Sequence, residues 1–384
     1  MKIALVENFG ADFVGARLRF ALYLRNKGVS VTAIIPNDGH KDIIEEKGIE
    51  VIEVGANIRG NGLANKIEYA RKLKNMLIQQ NFDIVHFYRL QPNLIGTLVS
   101  GLNTKSKIVN HITGLGVAFT ERTLKNLVYQ FLIKSLYRTN KFLFNPFTVF
   151  QNKEDIKELG YKSRTICIEG SAANQDLFYK GFSKEHKDEI EILKEELKIN
   201  KNEKVFIFVS RLLKEKGVLE LIEGTIEINK QLNTPVNLLV IGWSDVENPS
   251  AIKSSFLESY TKQYPFVKYL GKRSDVNKLL ALSDVSILPT YYREGTPRFL
   301  LESMAMGKPI ITTDMPGCNH LVPNDENGIL IPPRDSKAIT NAMLKILNED
   351  LKTLGEKSNA LYHEKFSEEK VYSAIYNLYV SILE

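Results

Sequence analysis

Two successive series of short apolar runs alternate with longer segments of helical periodicity, and this alternation constrains the fold more than any other feature. The first series begins at Lys2–Val6 and the second at Val205–Val209. Parallel strands need crossover connections, which are usually helices, so a repeated strand–helix–strand order predicts parallel sheets covered by helices. The sequence therefore predicts two α/β domains in tandem, with the largest cleft between them.

The first series predicts strands at 2–6, 29–35, 49–52, 84–87, 107–109, 149–151 and 166–168, a loop at 7–15, and helices at 17–27, 63–80, 92–101 and 120–144. The second predicts strands at 205–209, 236–241, 267–270, 285–288, 310–313 and 329–331, and helices at 218–231, 252–264, 276–282, 297–307, 336–347 and 367–383. We expect a first domain at 1–178, a linker with a helix at 179–203, a second domain at 204–365, and a terminal helix at 366–384 that packs back on the first domain.

Length and composition agree with this organisation. A chain of 384 residues suits two domains, and 43% hydrophobic with 25% charged residues is typical of soluble globular proteins. The two cysteines give no disulfide framework or zinc site, and a reducing cytoplasm is expected. The apolar run at 3–6 is too short for a signal peptide, and no run approaches the ~18 residues of a membrane span.

The net charge of +6 is unevenly distributed. Residues 1–180 contain 25 Lys and Arg against 16 Asp and Glu, which leaves 26 against 29 for the remainder. The excess positive charge is therefore confined to the first half. A basic half indicates an anionic partner such as a phosphate, a nucleic acid or an anionic membrane face.

The segment 120–144 combines basic residues with an apolar stripe, and it admits two interpretations. The stripe consists of Leu124, Leu127, Val128, Phe131, Leu132 and Leu136. A basic amphipathic helix of this kind lies on an anionic membrane surface in some proteins. In most others the apolar side of such a helix packs on its own sheet.

Loops of the second half follow the carboxyl ends of strands, where open parallel sheets bind ligands. Arg211 and Lys216 stand five residues apart at a strand-to-helix turn, suited to clamping a diphosphate unless they are solvated surface cations. Gly242 opens the next loop and permits close backbone approach. Lys272 lies in the loop 271–275, which either presents backbone groups to a nucleobase or only caps a helix.

The stretch from Tyr291 to Ile311 carries the strongest chemical pattern. Glu294 and Glu302 stand eight positions apart, with Gly295, Thr296 and Pro297 between them where a helix should begin. Proline suits a first helical position, and the free N–H groups there bind anions. Two glutamates at this spacing alone are more often a solvated helix face; their combination with Arg211 and Lys216 favours a ligand site.

These motifs resemble the retaining glycosyltransferases of family 4, and the resemblance covers nearly the whole chain. It is carried by Arg211 and Lys216-Gly217, followed about eighty residues later by the run 294–310. Within the family the chain is similar to bacterial enzymes of capsule, O-antigen and N-glycan assembly. The residues that indicate this are 111–116, Phe119, 150–152, 247–250 and 317–318.

The resemblance implies a GT-B fold, in which two Rossmann-like domains with parallel sheets face each other across a cleft. It implies that Arg211 and Lys216 neutralise the donor diphosphate, that Glu302 binds ribose and that Glu294 orients the donor sugar. Gly242, Lys272 and residues 295–297 are expected to bind the donor as well. Members of the family generally need no metal or other cofactor, and this chain has no Asp-x-Asp motif.

The chain departs from the family pattern in the first half. Relatives often carry His-x-His where this chain has His86-Phe87-Tyr88, so the second histidine is absent. His86 remains a candidate for acceptor binding, and His111 is a candidate catalytic residue; the alternative for a lone histidine after a strand is a structural role. Residues 170–174 replace the usual Gly-x-Gly-Val-Asp. Arg17 matches an acceptor-site position, with surface solvation as its alternative.

The expected function is transfer of a sugar, N-acetylgalactosamine as first choice, from a UDP-sugar to an undecaprenyl-diphosphate-linked saccharide. The enzyme would be cytoplasmic and peripheral on the inner membrane face, without a nucleic-acid partner. The alternatives are a transferase of the same family that uses another nucleotide-sugar for capsule or O-antigen synthesis, and a GT-B sugar-nucleotide epimerase. An NAD-dependent oxidoreductase is disfavoured because no Gly-x-Gly-x-x-Gly follows the first strand of either half. A solute-binding protein is disfavoured because it would need export.

Overall fold

The computed structural model describes residues 1–55, 62–121, 123–244 and 248–384, apart from the side chain of Leu63. The chain divides into two compact units, of which the first comprises Met1–Ser171 with Glu368–Glu384 and the second Ala172–Ser367. The predicted first domain extends to residue 178, seven residues beyond the end of the first unit's main segment. The predicted linker, 179–203, lies wholly within the second unit.

The first unit contains a seven-stranded sheet. Its strands are β1 (Lys2–Val6), β2 (Ser30–Ile35), β3 (Glu50–Glu53), β4 (Ile84–Tyr88), β5 (Lys107–Ile112), β6 (Phe147–Phe150) and β7 (Thr165–Cys167). They are all parallel and lie in the order β3-β2-β1-β4-β5-β6-β7. The central strands are buried almost throughout because helices cover both faces, which explains their nearly continuous apolar sequences.

Helices connect the strands of the first unit. They are α1 (Gly10–Ala16), α2 (Leu18–Asn26), α3 (Lys41–Glu45), α4 (Leu63–Gln80), α5 (Thr97–Asn103), α6 (Leu124–Phe144) and α7 (Lys153–Leu159). A π-helical turn, Pro92–Gly96, precedes α5, and a 3-10 turn, Val117–Phe119, precedes α6. The prediction for α4 is confirmed at both ends. The predicted start of α6 at 120 is wrong by four residues, because the Thr123 side chain caps the helix by accepting from the N–H of Asn126.

The loop predicted at 7–15 is largely helical, so this prediction is wrong. The helix α1 occupies its second half, and the backbone N–H of Gly10 donates to the Asp38 carboxylate at 2.7 Å. A carboxylate at a helix start satisfies a free donor and opposes the helix dipole. Because Asp38 lies twenty-eight residues further along the chain, the sequence around α1 does not predict this cap.

The terminal helix, Glu368–Leu383, belongs to the first unit. Its Glu368 carboxylate pairs with the Arg19 guanidinium, with one N···O distance of 2.7 Å. The Tyr372 ring packs 5.3 Å from the ring of Phe20. These contacts hold the terminal helix against α2.

The second unit contains a six-stranded sheet, again entirely parallel. Its strands are β8 (Lys204–Val209), β9 (Val236–Ile241), β10 (Val267–Gly271), β11 (Val285–Leu288), β12 (Ile310–Thr313) and β13 (Gly328–Ile331). Their order is β10-β9-β8-β11-β12-β13. The two sheets confirm the predicted α/β class and the two Rossmann-like domains.

The helices of the second unit are Phe182–Glu185, Lys187–Glu196, Val218–Asn229, Ser254–Gln263, Val276–Leu282, Arg298–Ala305, Ser336–Leu347 and Leu351–Leu361. Short 3-10 turns are found at Lys214–Lys216, Asn319–Leu321 and Pro323–Asp325, and a π-helical turn at Tyr362–Phe366. The Tyr362 hydroxyl lies 3.2 Å from the backbone N–H of Ala173, which donates to it. This bond ties the residues after 171 to the second unit.

The helix Arg298–Ala305 begins one residue later than predicted. Pro297 has φ −65° but ψ 119°, so it caps the helix and is not its first member. At the other end Gly307, with φ +70°, donates to the Met304 carbonyl, while the Lys308 N–H donates to the Ser303 carbonyl. This is a Schellman motif, which uses a left-handed glycine to satisfy the last carbonyls. The helix itself ends at Ala305, two residues before the predicted end, and Gly307 is the glycine that follows its C-cap, Met306.

Among the residues that the structure describes, no helix has both the length and the apolar character needed to cross a bilayer. The six apolar side chains predicted as a stripe, called here the α6 stripe (Leu124, Leu127, Val128, Phe131, Leu132 and Leu136), are all exposed. Only Tyr137 and Asn140 of this helix are buried. The interpretation in which the α6 stripe packs on its own sheet is therefore wrong.

Candidate functional site

A short turn at the carboxyl end of β8 places Lys216 in the second unit. The 3-10 turn Lys214–Lys216 ends at Gly217, whose φ is +74°. A side chain at Gly217 would bring a Cβ within 2.1 Å of the Pro289 carbonyl oxygen, so only glycine fits there. The Glu215 carbonyl accepts from the N–H groups of Tyr291 and Tyr292. The turn is thereby joined to the loop that follows β11.

Lys216 and Glu294 form an ion pair, the central contact of the candidate donor site. The Lys216 ammonium contacts the Glu294 carboxylate and also lies 4.9 Å from the centre of the Tyr292 ring. The two charged side chains are only 9% and 14% exposed. A pair this well buried is stabilised by the weak screening around it and needs both partners. The resemblance implies separate roles for Lys216 and Glu294, whereas the structure pairs their side chains.

The backbone around Glu294 is packed against Gly317. A Cβ added at Gly317, where φ is +87°, would lie 2.3 Å from the Gly295 carbonyl oxygen and 2.5 Å from that of Glu294. The next residue, Cys318, is fully buried. Burial raises the pKa of the Cys318 thiol to about 12, and the Glu294 carboxylate acts in the same direction. The thiol is therefore neutral and is not a nucleophile at this site.

We expect Gly317→Ala to destabilise the second unit. A left-handed alanine costs about 1–2 kcal/mol, and the overlap with the Gly295 carbonyl adds about 1–3 kcal/mol. The matched control is Gly271→Ala in the same unit, where φ is +66° and nothing lies within 4 Å of the added Cβ. Urea unfolding of the two variants measures the difference, and equal loss of stability would contradict the tight packing at Gly317.

The start of the helix Arg298–Ala305 brings backbone donors to the same region. Thr296 is buried, and its Oγ1 lies 3.4 Å from Nε2 of His320. The first N–H groups of a helix have no partner within the helix and favour negative charge. Residues 295–297 thus lead from the Lys216–Glu294 pair into a helix N-terminus.

Glu302 lies one turn into this helix and is 13% exposed at its side chain. Its Oε1 is 3.3 Å from a terminal guanidinium nitrogen of Arg298, four residues earlier. Burial raises the pKa of the Glu302 carboxyl, while the Arg298 charge opposes the rise. Glu302 is thus a buried, oriented carboxylate and not part of a solvated helix face, contrary to the alternative considered from sequence.

Two further loops approach the carboxyl edge of this sheet. Gly242 donates its N–H to the Gly271 carbonyl at 2.9 Å, and an added Cβ at Gly242 would meet the Ser210 carbonyl oxygen at 1.9 Å. The Lys272 ammonium lies 5.6 Å from the centre of the half-exposed Trp243 ring.

The cap proposed at Asp275 is not made by its side chain, which instead pairs with Arg273. Arg211 is half-buried, two residues beyond β8.

The remaining motif of the second unit is 247–250. Glu247 lies outside the described residues, and Asn248 Oδ1 accepts from the Ser250 hydroxyl at 2.9 Å. In the ranges that the structure describes, no group of three or more His, Cys, Asp or Glu side chains is arranged to hold a metal ion.

The first unit has a second polar cluster, at the carboxyl ends of β1 and β4. The Glu7 carboxylate is buried between Arg89, whose Nε lies 3.1 Å from Oε1, and Arg17, whose Nε lies 3.5 Å from Oε2. Burial raises the pKa of Glu7, and the two arginines oppose the rise. Arg89 also reaches Asp12 at 2.7 Å and has a φ of +71°, a strained conformation typical of functional sites. Arg17 is buried, so surface solvation does not describe it.

His86 and His111 lie beside this charged cluster and contact each other. Their rings are 5.4 Å apart and nearly parallel, and the Tyr88 ring lies 4.2 Å from that of His86. The Arg17 guanidinium carbon lies 4.0 Å from the centre of the Tyr88 ring. Tyr88 thus occupies the place of the second histidine in the His-x-His pattern.

The structure therefore brings the predicted residues together in two groups. Lys216, Glu294 and residues 295–297 form one continuous region, and Arg17, His86 and His111 form another. Sequence reasoning missed their supporting residues, Arg298, His320, Glu7 and Arg89, and also Tyr379, whose hydroxyl contacts Nδ1 of His86. Of these only Arg298 carries a local signal, because it precedes Glu302 by four positions on a helix.

Comparison with known proteins identifies the class. The family model described as "Glycosyl transferases group 1" matches residues 189–364, and that described as "Glycosyl transferase 4-like" matches residues 2–146. Together they match most of the chain, and with the two parallel sheets they define a glycosyltransferase of the GT-B fold. The chain belongs to the family of group 1, family 4-like glycosyltransferases, which confirms the resemblance drawn from its motifs.

Particular relatives extend this result. The chain is 27% identical to the N,N'-diacetylbacillosaminyl-diphospho-undecaprenol alpha-1,3-N-acetylgalactosaminyltransferase of Campylobacter jejuni, over 94% of this chain and 93% of that protein. It is 24% identical to the UDP-Gal:alpha-D-GlcNAc-diphosphoundecaprenol alpha-1,3-galactosyltransferase of Escherichia coli, over 87% and 84%. The solved structure of Anabaena HepE in complex with UDP has a TM-score of 0.78 at 18% identity, covering 99% of this chain and all of that one.

Proposed function

We propose that this protein transfers a sugar from a nucleotide-sugar to a saccharide linked to undecaprenyl diphosphate. The observation that carries the proposal is the buried Lys216–Glu294 pair at the mouth of a helix N-terminus, in a chain that matches such a transferase over nearly its whole length. Both relatives named above act, by their names, on a diphospho-undecaprenol-linked sugar. A lysine ammonium beside a helix N-terminus is the kind of site that binds a diphosphate.

In the proposed mechanism the second unit holds the donor. Lys216 and Arg211 bind the diphosphate, the free N–H groups at the start of the helix Arg298–Ala305 add to the positive field, and Glu302 accepts from ribose hydroxyls. Fixed cations and aligned dipoles stabilise charge as it develops on a leaving diphosphate, without reorganisation during the reaction. No metal enters this proposal, because the protein supplies the compensating charge itself.

Glu294 has two tasks in this mechanism. Its pairing with Lys216 orients the ammonium, and its carboxylate accepts from hydroxyls of the donor sugar. We propose no protein nucleophile: the acceptor hydroxyl attacks the anomeric carbon on the face of the departing phosphate, and a phosphate oxygen receives its proton. The C1–O bond to the diphosphate breaks as the new glycosidic bond forms, so the anomeric configuration is retained.

The proposed donor is UDP-N-acetylgalactosamine. N-acetylgalactosamine follows the name of the Campylobacter relative, and UDP follows both the donor named for the Escherichia relative and the nucleotide bound by Anabaena HepE. The test is a panel of UDP-, GDP- and dTDP-sugars with an undecaprenyl-diphosphate saccharide and a chelator. We expect acceptor-dependent release of UDP alone, and absence of acceptor-dependent release from every donor would refute the transferase proposal.

We also propose that the first unit rests on the inner face of the cytoplasmic membrane through the α6 stripe. The stripe exposes large apolar side chains, among them Leu124 at 84% and Phe131 at 68%. Lys125, Lys134 and Arg138 lie on the same helix, in the half of the chain that carries all the excess positive charge. Apolar side chains among basic ones suit the boundary between lipid headgroups and acyl chains. A lipid-linked acceptor would be presented at that boundary.

The double variant Val128→Ser/Phe131→Ser should sediment with phosphatidylglycerol-containing vesicles at least about tenfold more weakly than the wild type, because two exposed apolar side chains are removed. Its thermal stability should be unchanged, since neither side chain is buried. Ile67→Ser, a change at an equally exposed isoleucine of α4, is the control.

A charge variant complements this measurement. Lys125→Gln/Arg138→Gln should lower vesicle binding at low salt and flatten its salt dependence, because each exposed cation near an anionic surface contributes about 1 kcal/mol. Lys134 is left unchanged because its ammonium pairs with the Glu158 carboxylate. Arg122, another basic residue of the segment 120–144, lies outside the described residues. Unchanged sedimentation of both double variants would refute the membrane proposal.

A further inference from the structure

The buried rings at the carboxyl ends of β4 and β5 include one residue from the far end of the chain. Tyr379, on the terminal helix Glu368–Leu383, is fully buried and its hydroxyl contacts Nδ1 of His86. Its ring meets that of His86 edge-on, with centroids 5.7 Å apart. The Tyr88 hydroxyl lies 3.2 Å from the same nitrogen. His86 Nδ1 is thus enclosed by two phenols.

The charge states of these groups are set by their burial. Burial lowers the pKa of His86 well below its ordinary value, and the neighbouring His111 and Arg17 lower it further. Burial and the Arg17 charge likewise lower the pKa of His111 well below its ordinary value. Burial raises the pKa of the Tyr379 hydroxyl well above its ordinary value. Both histidines are therefore neutral, and the phenol keeps its proton.

These neutral states allow Nδ1 of His86 to act as a hydrogen-bond acceptor. The contact between the Tyr379 hydroxyl and Nδ1 of His86 suits the tautomer in which the protonated phenol donates and the imidazole nitrogen accepts. In a neutral imidazole the other nitrogen then carries the hydrogen. That nitrogen, Nε2, is buried and has no hydrogen-bond partner in the part of the chain that the structure describes. In this tautomer of His86, Nε2 is a hydrogen-bond donor without a partner in the described residues.

His111 has the opposite tautomer for an equivalent reason. Its Nε2 lies 3.5 Å from the amide nitrogen of Gln151, which also lies 3.4 Å from the Gly170 carbonyl. Because a carbonyl accepts only from the amide N–H, Gln151 presents a donor here and His111 Nε2 accepts. Its Nδ1 carries the hydrogen and, within the described ranges, is likewise buried without a partner.

We propose that Tyr379 is a positioning residue that holds His86 as the Nε2–H tautomer, so that His86 and His111 each offer an N–H to oxygen atoms of the acceptor saccharide. Buried N–H groups without a partner are costly and rare in folded proteins, and ligand oxygens satisfy such groups where a site is built for them. This inference rests on the proposed function, since it names how the acceptor side of the same enzyme is organised. It also gives the terminal helix a role beyond packing.

The variant Tyr379→Phe tests the inference, because it keeps the ring and its packing and removes only the hydroxyl. We expect the KM for the undecaprenyl-diphosphate saccharide to rise about tenfold, which corresponds to the loss of one directed hydrogen bond. The KM for the nucleotide-sugar should stay within about twofold, and thermal unfolding should stay near that of the wild type.

Tyr372→Phe is the matched control on the same helix. Tyr372 is also buried, and its hydroxyl lies 3.5 Å from Glu368, away from the histidines. We expect its acceptor KM to equal that of the wild type. An equal rise in both variants would mean that the helix acts only through packing, and would overturn the inference.

A spectroscopic measurement separates this inference from the proposed function. In 15N-histidine-labelled protein, long-range 1H–15N spectra distinguish the two tautomers of each of the six histidines; the His86 signals are assigned by comparison with His86→Gln. We expect Nε2–H in the wild type and a larger share of the Nδ1–H tautomer in Tyr379→Phe, where only the more distant Tyr88 hydroxyl remains beside Nδ1. A wild-type His86 that is charged or protonated at Nδ1, or a tautomer unchanged in Tyr379→Phe, would overturn the inference whatever the transferase assays show.

Discussion

Replacing Lys216 with methionine should reduce kcat/KM for sugar transfer by about 10²–10³-fold, the loss found when one fixed donor to a developing anion is removed. The substitution should also destabilise the second unit by about 3–5 kcal/mol, because it leaves the Glu294 carboxylate buried without its ion-pair partner. Acceptor-dependent UDP release measures the first effect, and urea unfolding measures the second.

The double variant Lys216→Met/Glu294→Gln separates the two effects. It removes both charges, so most of the lost stability should return while activity stays at or below that of Lys216→Met. Recovery of activity together with stability would show that the pair only holds the fold. That outcome would contradict the role of Lys216 at the diphosphate.

Replacing Glu302 with glutamine should weaken UDP binding about tenfold and change kcat little, because the carboxylate is proposed to hold the ribose hydroxyls that are bound equally before and during reaction. Glu294→Gln should instead reduce kcat, with UDP affinity within about threefold of the wild type. Isothermal titration with UDP and steady-state kinetics measure the two quantities. The control is Glu227→Gln, a change in an exposed pair with Lys230.

The pH dependence of UDP binding adds a second readout for Glu302. Burial raises the pKa of this carboxyl, so the folded protein protonates it at a higher pH than an exposed glutamate. A protonated carboxyl accepts less well, and UDP affinity should fall as the pH is lowered through that raised pKa. Glu302→Gln should remove this part of the pH dependence. Equal loss of UDP affinity in Glu302→Gln and Glu294→Gln would refute the proposed division between ribose and sugar.

The parallel-sheet architecture was predictable because the buried strands are continuous apolar runs with helical segments between them. Strands β1 and β11 and the helix Val276–Leu282 lie at the residues predicted for them. The largest error in the first unit occurs where a distant residue decides a boundary. The start of the helix α1 is capped by Asp38, which follows β2 in the chain, and no pattern local to α1 contains that information.

The candidate donor site was predictable in composition but not in its contacts. Glycine, threonine and proline before a helix, with flanking glutamates and a preceding Arg and Lys, indicate an anion site. The pairing of Lys216 with Glu294 depends on the loop after β11 being bonded to the Glu215 carbonyl, which is a tertiary contact. Likewise Arg17 looks like a surface residue in sequence, and only the neighbouring Glu7 and Tyr88 explain its burial.

The α6 stripe shows the limit of amphipathicity as evidence. Its period is the same whether the apolar side faces a sheet or a membrane, so the sequence predicts the helix and leaves its partner open. In the structure Leu124 and Phe131 are exposed, which excludes packing of the α6 stripe on the sheet of its own unit. Tyr379 is the opposite case, since nothing in the terminal helix distinguishes this tyrosine from its neighbours until the helix lies beside His86.

The central claim is that the protein adds a sugar to an undecaprenyl-diphosphate-linked saccharide with retention of configuration. The direct measurement is mass spectrometry and NMR of the lipid-linked product formed from UDP-N-acetylgalactosamine, with Lys216→Met as the low-activity control. We predict a mass increase of one N-acetylhexosamine and an α-anomeric signal, both formed at least about 100-fold more slowly in the control. A product of unchanged mass, or a β-anomeric signal, would contradict the account.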